Sequence, residues 1–360
     1  MAVAPASASA LATWAIPPLG LLVWAAFGHA GGALATGLLC VFLIAGVIVA
    51  VQHAEVVAHR LGEPYGTLVL TLSVTIIEVS MIVSMMLNGS PNPELVRDTV
   101  HAAVILVLHG VAGLCIVAGT LRHREQEFST AGASAFLSVL IPMIVLVLVL
   151  PNYTTSVPGP YYSKSQLLFV AGVCLTLYAA FLFVQTVRHK DYFLVREPIA
   201  HAARDPIPPI PMVLLSAFLL VLSLSAVVLM AEALAPFIES SLAARKAPDR
   251  IAGIIVAAIV LLPETMAALK AARRNRLQTS INLALGSALS SIGLTIPTVV
   301  VIAVWIGHPL ALGTDAGSTV LLALTFVMAI LTYGQGRTNL LSGFVHLVLL
   351  VCYVFLIFDP

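Results

Sequence analysis

Long apolar runs separated by short polar links make up most of the chain. They fall near residues 11–28, 33–52, 66–87, 99–120, 133–151, 167–187, 211–233, 251–270, 279–304, 318–334 and 339–358. Each approaches the roughly 20 residues that a helix needs to cross the hydrocarbon core of a bilayer. The runs lack the short alternating segments of a transmembrane barrel, and lipid offers no partner to open backbone groups. The pattern therefore predicts an all-α polytopic membrane protein with eleven transmembrane helices.

Composition agrees. Of 360 residues 60% are hydrophobic and only 9% charged, with a mean hydropathy of +1.06. A water-exposed domain carries about 25% charged residues. The 17 basic and 16 acidic residues are nearly balanced, so there is no basic patch for a nucleic-acid partner. Cys40, Cys115, Cys174 and Cys352 lie in apolar runs without C-x-x-C spacing and read as packing residues. The first apolar run has no Lys or Arg before it and reads as a retained span, not a cleaved leader.

Basic residues orient the spans. One set of links holds Arg60, Arg122, Arg124, Arg188, Lys190, Arg196, Arg204, Lys270, Arg273, Arg274, Arg276 and Arg337; the other holds Arg97, Lys164, Arg245, Lys246 and Arg250. Twelve against five places the N-terminus in the cytoplasm and the C-terminus outside. The longest polar stretch, Arg188 to Pro211, contains P-I-P-P-I-P and reads as an extended hinge.

Two carboxylates interrupt the apolar pattern. In the third span G-T-L-V-L-T-L-S-V-T-I-I-E runs from Gly66 to Glu78; in the eighth, G-I-I-V-A-A-I-V-L-L-P-E runs from Gly253 to Glu264. Each glutamate follows its glycine by eleven or twelve residues, about 17 Å into a ~30 Å core. Five spans separate them, an odd number, so the two helices run in opposite directions. This is the arithmetic of an inverted repeat: an extra N-terminal helix (1–30), a first five-helix repeat (31–190), a hinge (191–210) and a second five-helix repeat (211–360).

A charge at the centre of a membrane helix costs roughly 2.5–3.5 kcal/mol on insertion scales. Each glutamate must therefore be protonated or share a cation, and these alternatives are the two loaded states of a cation/proton exchanger. Thr71, Thr75 and Glu78 share a helical face. The ninth span supplies Asn282, Ser287, Ser290, Ser291 and Thr295, oxygen donors of the kind a hard cation takes. Pro263, directly before Glu264, frees a backbone carbonyl. The competing structural readings are a static interhelical hydrogen bond for each glutamate, helix-helix contacts for the hydroxyls and a simple kink at Pro263. His109, mid-span in the fourth run, is a proton relay or a packed, hydrogen-bonded histidine; His101 and His346 lie nearer span ends and read as structural. Glu232 and Glu239 mark a vestibule near the outer surface or plain interface charge. No phosphate-binding G-x-x-x-x-G-K-[ST], nucleophile–base pair or zinc motif occurs. The chain reads as a non-enzyme with no cofactor.

R-L-G-E-P-Y-G-T-L-V-L-T-L-S-V-T-I-I-E-V-S, L-L-P-E-T-M-A-A-L-K, N-L-A-L-G-S-A-L-S-S-I-G-L-T-I-P and G-Q-G-R-T-N-L-L-S-G-F-V-H-L together resemble the bacterial ChaA-type calcium (sodium, potassium)/proton antiporters of the cation/calcium exchanger superfamily. The resemblance runs from about Val51 onward. It implies an inner-membrane antiporter of two inverted five-helix repeats in which Glu78 and Glu264 bind the ion and exchange it for protons. On this expectation Glu78, Glu264, Thr75, Asn282, Ser287 and Ser290 hold the cation, while Glu78, Glu264 and His109 handle protons. Two departures stand out: Val74-Thr75 and Val260-Leu261 replace a Gly-Asn pair common before the glutamate, and His109-Gly110 stands where relatives carry a hydroxyl-rich stretch. Ca²⁺ is the first expectation for the cargo. Na⁺/H⁺, K⁺/H⁺ or Na⁺/Ca²⁺ exchange on the same scaffold remains open, as do a passive channel and a structural membrane protein.

Overall fold

The computed structural model describes residues 8–30, 32–62, 65–88, 92–193 and 207–359. Every predicted span is a helix: α1 (Ala8–Phe27), α2 (Ala33–Leu61), α3 (Tyr65–Asn88), α4 (Leu95–His123), α5 (Thr130–Tyr153), α6 (Lys164–Arg188), α7 (Ile210–Ala244), α8 (Arg250–Arg273), α9 (Leu277–Ile306), α10 (Ala316–Tyr333) and α11 (Leu340–Phe358). Among the described residues nine of these are long and apolar enough to cross a membrane, and α1 and α3 contain shorter apolar stretches, Ala12–Phe27 and Thr71–Leu87. Large apolar side chains are bare on the outside, Trp305 at 86%, Leu34 at 75% and Phe169 at 71% exposure; lipid is the solvent that such a surface fits. Most of the hinge, residues 194–206, lies outside the described residues.

Helices outrun the apolar stretches that announce them. α2 continues to Leu61 and stops where Gly62 turns to φ 68°, its N–H closing on the Ala58 carbonyl at 3.0 Å; glycine adopts that left-handed backbone without penalty. α7 runs on to Ala244, taking in Glu232 on an exposed surface; the Glu239 side chain lies outside the described residues. Hydropathy reads the thickness of hydrocarbon, whereas caps and turn residues decide where a helix ends. Among the described residues four segments are π-helical: Leu106–Val111 in α4, Val145–Val149 in α5, Val184–Arg188 in α6 and Ser291–Thr295 in α9.

The helices group into two compact units, one of α1, α2, α3 and α7 and one of α4–α6 and α8–α11. In the first, α2 packs along α7, α3 and α1. Gly46 lets α7 approach, and the Ser223 hydroxyl donates to the Gly46 carbonyl at 2.8 Å. In the second, α4 packs against α8, α9 and α11. Its apolar window is 78% buried, against 22% for α11, so α4 is an inner helix and α11 a peripheral one. Two ties hold the ends of this unit. The loop after α9 bonds back through Ala311 N–H to Pro93 O (2.9 Å) and Thr314 N–H to Leu148 O (2.8 Å). At the opposite end the two-residue strands β1 (Gln126–Glu127) and β2 (Arg337–Thr338) pair antiparallel, and the Gln126 amide donates to the Ala272 carbonyl at 2.9 Å.

Gly253 of α8 lies against the backbone of Asp98 and Thr99 in α4, and an added Cβ would collide with main-chain atoms at 2.7 Å. Backbone cannot swing aside as a side chain can. Gly253→Ala should therefore destabilise the purified protein by about 1–3 kcal/mol, whereas Gly172→Ala on α6, where a Cβ meets nothing within 4 Å, should leave the melting midpoint unchanged or raise it. Thermal unfolding of both variants in detergent checks the pair; equal effects would refute the close crossing.

Candidate functional site

Glu78 is the fourteenth of the 24 residues of α3, and Glu264 the fifteenth of the 24 of α8. Each therefore sits just past the middle of its own helix, where an ionised group costs most. Glu78 is 3% exposed, among Val74, Ile77, Met81 and Ile82, all buried. Glu264 is half-buried, beside a buried Pro263. Pro263 has no N–H, so the Ile259 carbonyl lacks its regular helical donor. The Thr265 hydroxyl donates to the Leu261 carbonyl at 2.6 Å.

Glu78 and Thr75 belong to the first unit; Glu264, Asn282, Ser287, Ser290 and His109 belong to the second. Thr75 donates its hydroxyl proton to the Thr71 carbonyl at 2.9 Å and Ser73 donates to Val69 at 2.8 Å, which leaves the oxygen lone pairs of both as acceptors. In the second unit α8 packs against α9 and against the π turn of α4. Ser287, Ser290, Ser291 and Thr295 are all buried on α9, and Ser290 donates to the Ser287 carbonyl at 2.9 Å. Gly293, in the π turn of α9, lies hard against the Tyr178 ring of α6. Asn282 is otherwise engaged: its amide donates to the Phe193 carbonyl at 2.6 Å and accepts from Gln278 at 2.8 Å. These contacts fasten the chain after α6 to α9.

His109 lies in the π turn of α4 and is 1% exposed. Its Nδ1 meets His346 Nδ1 of α11 at 2.8 Å, and its Nε2 meets Thr325 Oγ1 of α10 at 2.9 Å. His346, which its place near a span end had marked as structural, is thus the direct partner of His109. The two are 237 positions apart, and no local pattern could pair them; two lone histidines, each within an otherwise apolar run, were the available signal.

Arg97 also departs from expectation. Instead of a link residue it is a buried part of α4, 4% exposed, bonding Glu94 at 2.6 Å, Asp98 at 2.9 Å and the Gly313 carbonyl at 3.3 Å. Paired charge lets a helix begin inside protein rather than in water. With Asn152, Thr314, Arg250 and Asp315, Arg97 and Glu94 line a cavity of about 430 Å³. The four cysteines are free thiols, Cys115 and Cys174 buried and Cys352 exposed.

Eleven apolar helices among the described residues, in two compact units with acidic residues at mid-helix, are the architecture of a polytopic membrane transporter. The sodium/calcium exchanger protein family matches residues 29–187 and 215–358, and the chain belongs to that family. Among its relatives are y4hA of Sinorhizobium fredii, 46% identical over 87% of this chain and 86% of that protein. The sodium-potassium/proton antiporter ChaA of Escherichia coli is 36% identical over 86% of this chain and 84% of ChaA. The Ca²⁺/H⁺ antiporter protein YfkE shares the fold, with a TM-score of 0.72 at 18% identity over 97% of this chain and 99% of that one.

Asp315 caps α10. Its carboxylate accepts from the Ser318 amide at 3.0 Å and the Ser318 hydroxyl at 2.7 Å, and pairs with Arg250 at 2.6 Å. Partial burial alone would raise its pKa; the Ser318 bonds and the Arg250 guanidinium outweigh it and hold the carboxyl well below its ordinary 3.8. A depressed folded-state pKa adds stability that is complete above the unfolded value and lost as pH falls through the folded one. Asp315→Asn should therefore lower the melting midpoint at neutral pH, with the gap to wild type narrowing below about pH 3.8. Melting curves of both proteins from pH 7 to pH 3 check this; a constant gap would contradict it.

Proposed function

We propose that the protein exports Ca²⁺ in exchange for protons by alternating access, with Glu78 and Glu264 as the carboxylates that bind cation and proton in turn. The observation that carries the reading is a glutamate, Glu78, buried to 3% exposure at mid-helix in a chain of the exchanger family. An ionised carboxylate there requires a cation, and a protonated one does not. Protons entering down their gradient neutralise the carboxylates and release the cation; the cation displaces the protons on return. Thr75 and Ser290, with lone pairs left over from their own hydrogen bonds, and the buried Ser287 supply further oxygen ligands, and Asn282 adds one only by giving up contacts it now makes. No cofactor enters the cycle.

One feature supports the inverted repeat behind this scheme. Mid-span π turns occur in α4 and α9, five spans apart, as are Glu78 and Glu264. The basic-residue asymmetry supports a cytoplasmic N-terminus and an outer C-terminus in a bacterial inner membrane.

A second reading has its own observation. The relative that shares 36% identity is named a sodium-potassium/proton antiporter, which favours Na⁺ or K⁺ as cargo on the same carboxylates. Everted vesicles carrying the protein and a pH-sensitive dye, given Ca²⁺, Na⁺ and K⁺ in turn, separate the two. Glu78→Gln and Glu264→Gln should each reduce proton-coupled flux to background. Intact coupling in either variant, or cation current without proton movement, would overturn the reading.

A further inference from the structure

His109, His346, Thr325 and Thr332 form one continuous hydrogen-bonded chain inside the second unit. The links are Thr325 Oγ1 to His109 Nε2 (2.9 Å), His109 Nδ1 to His346 Nδ1 (2.8 Å) and His346 Nε2 to Thr332 Oγ1 (2.9 Å). All four side chains are 5% exposed or less.

The proton of every link follows from its neighbour. Thr325 donates its single hydroxyl proton to the Leu321 carbonyl at 2.7 Å, so at its other contact it accepts, and His109 donates from Nε2. A neutral ring protonated on Nε2 accepts at Nδ1, so His346 donates from Nδ1. The His346 Nε2 then accepts from the Thr332 hydroxyl. Each link holds one proton, and all of them point from Thr332 toward Thr325.

The chain also has a direction in the membrane. Thr325 is the tenth of the 18 residues of α10 and Thr332 the seventeenth, seven residues or about 10 Å apart along the helix axis. The chain therefore runs from mid-span to the end of α10. On the topology proposed above, that end is cytoplasmic. The π turn that carries His109 packs against α8, the helix of Glu264.

We propose that Thr325, His109, His346 and Thr332 form a proton-conducting branch between the middle of the membrane and the Tyr333 end of α10. This rests on the antiport reading, because a carrier that takes up protons at mid-membrane must release them to the other side. Transfer balances atom for atom. When both rings have exchanged tautomers and the Thr325 hydroxyl has turned from Leu321 to His109 Nε2, the links point toward Thr332. A proton arriving on Thr325 Oγ1 then sends that hydroxyl's own proton to His109 Nε2. His109 passes its Nδ1 proton to His346 Nδ1, His346 passes its Nε2 proton to Thr332 Oγ1, and Thr332 releases one. Both rings end neutral in the tautomers first described, and each must exchange tautomers again before a second proton follows in the same direction.

The test separates coupling from architecture. In proteoliposomes of the full chain, two rates are compared using whichever of Ca²⁺, Na⁺ or K⁺ wild type carries: proton-coupled flux, and isotope exchange of that cation against itself, which moves no proton. His346→Gln and Thr332→Val should lower coupled flux about a hundredfold, the lower end of lost proton-transfer catalysis, and leave isotope exchange at the wild-type rate. Thr325→Ser, which keeps the hydroxyl, should retain coupled flux. If both rates fall together in His346→Gln and Thr332→Val, or if neither changes, the branch is architectural and the proposal fails while the antiport reading stands. Wild-type cation flux with no proton movement would instead remove the antiport reading and this inference with it.

Discussion

The cost of leaving an ionised carboxylate in a medium that cannot solvate it governs this protein. Glu78 is 3% exposed in the middle of α3, and its charge needs a counter-charge or a proton. The polar chemistry of each unit answers the same constraint. Thr75 and Ser73 satisfy their hydroxyl protons on their own helix, and in the second unit Pro263, directly before Glu264, leaves the Ile259 carbonyl without its helical donor. A site of this kind is selective because only a cation or a proton relieves the penalty.

The second unit handles charge differently at its ends. Arg97 is as buried as Glu78, yet it is fully committed to Glu94, Asp98 and Gly313. Such a group is fixed, since removing both carboxylates would leave an uncompensated buried ion. Arg250 and Asp315 make a more exposed version of the same tie beside the cap of α10. On the antiport reading, permanent pairs at the ends and exchangeable carboxylates at mid-helix would divide the ionisable groups into those that hold the scaffold and those that do chemistry.

The spans were legible because lipid imposes a length and a polarity on every helix, and all eleven stretches are helical. Glu78 and Glu264 were legible for the converse reason, being conspicuous where charge is costly. Helix ends were not. The close of α2 at Gly62 and the continuation of α7 to Ala244 depend on backbone conformation and contacts beyond the hydrocarbon core. The π turn around His109 was also hidden, because one extra residue per turn leaves no mark on an evenly apolar run. Asn282 reads as a ligand in the sequence, and its amide also bonds Phe193, a partner 89 positions away that no local pattern shows. Arg97 looked like a link residue because composition cannot show a buried pair.

Five hydroxyls of the membrane helices share a further property. Ser73, Thr75, Thr265, Ser290 and Thr325 each give their only proton to a carbonyl of their own helix. To anything outside the helix, each is then an acceptor with lone pairs and nothing to donate. A bare anion such as chloride would meet oxygens and carboxylates at these positions, with no proton turned toward it. On the antiport reading, serine and threonine held this way would favour cations over anions before any question of ion size arises, at no cost in net charge.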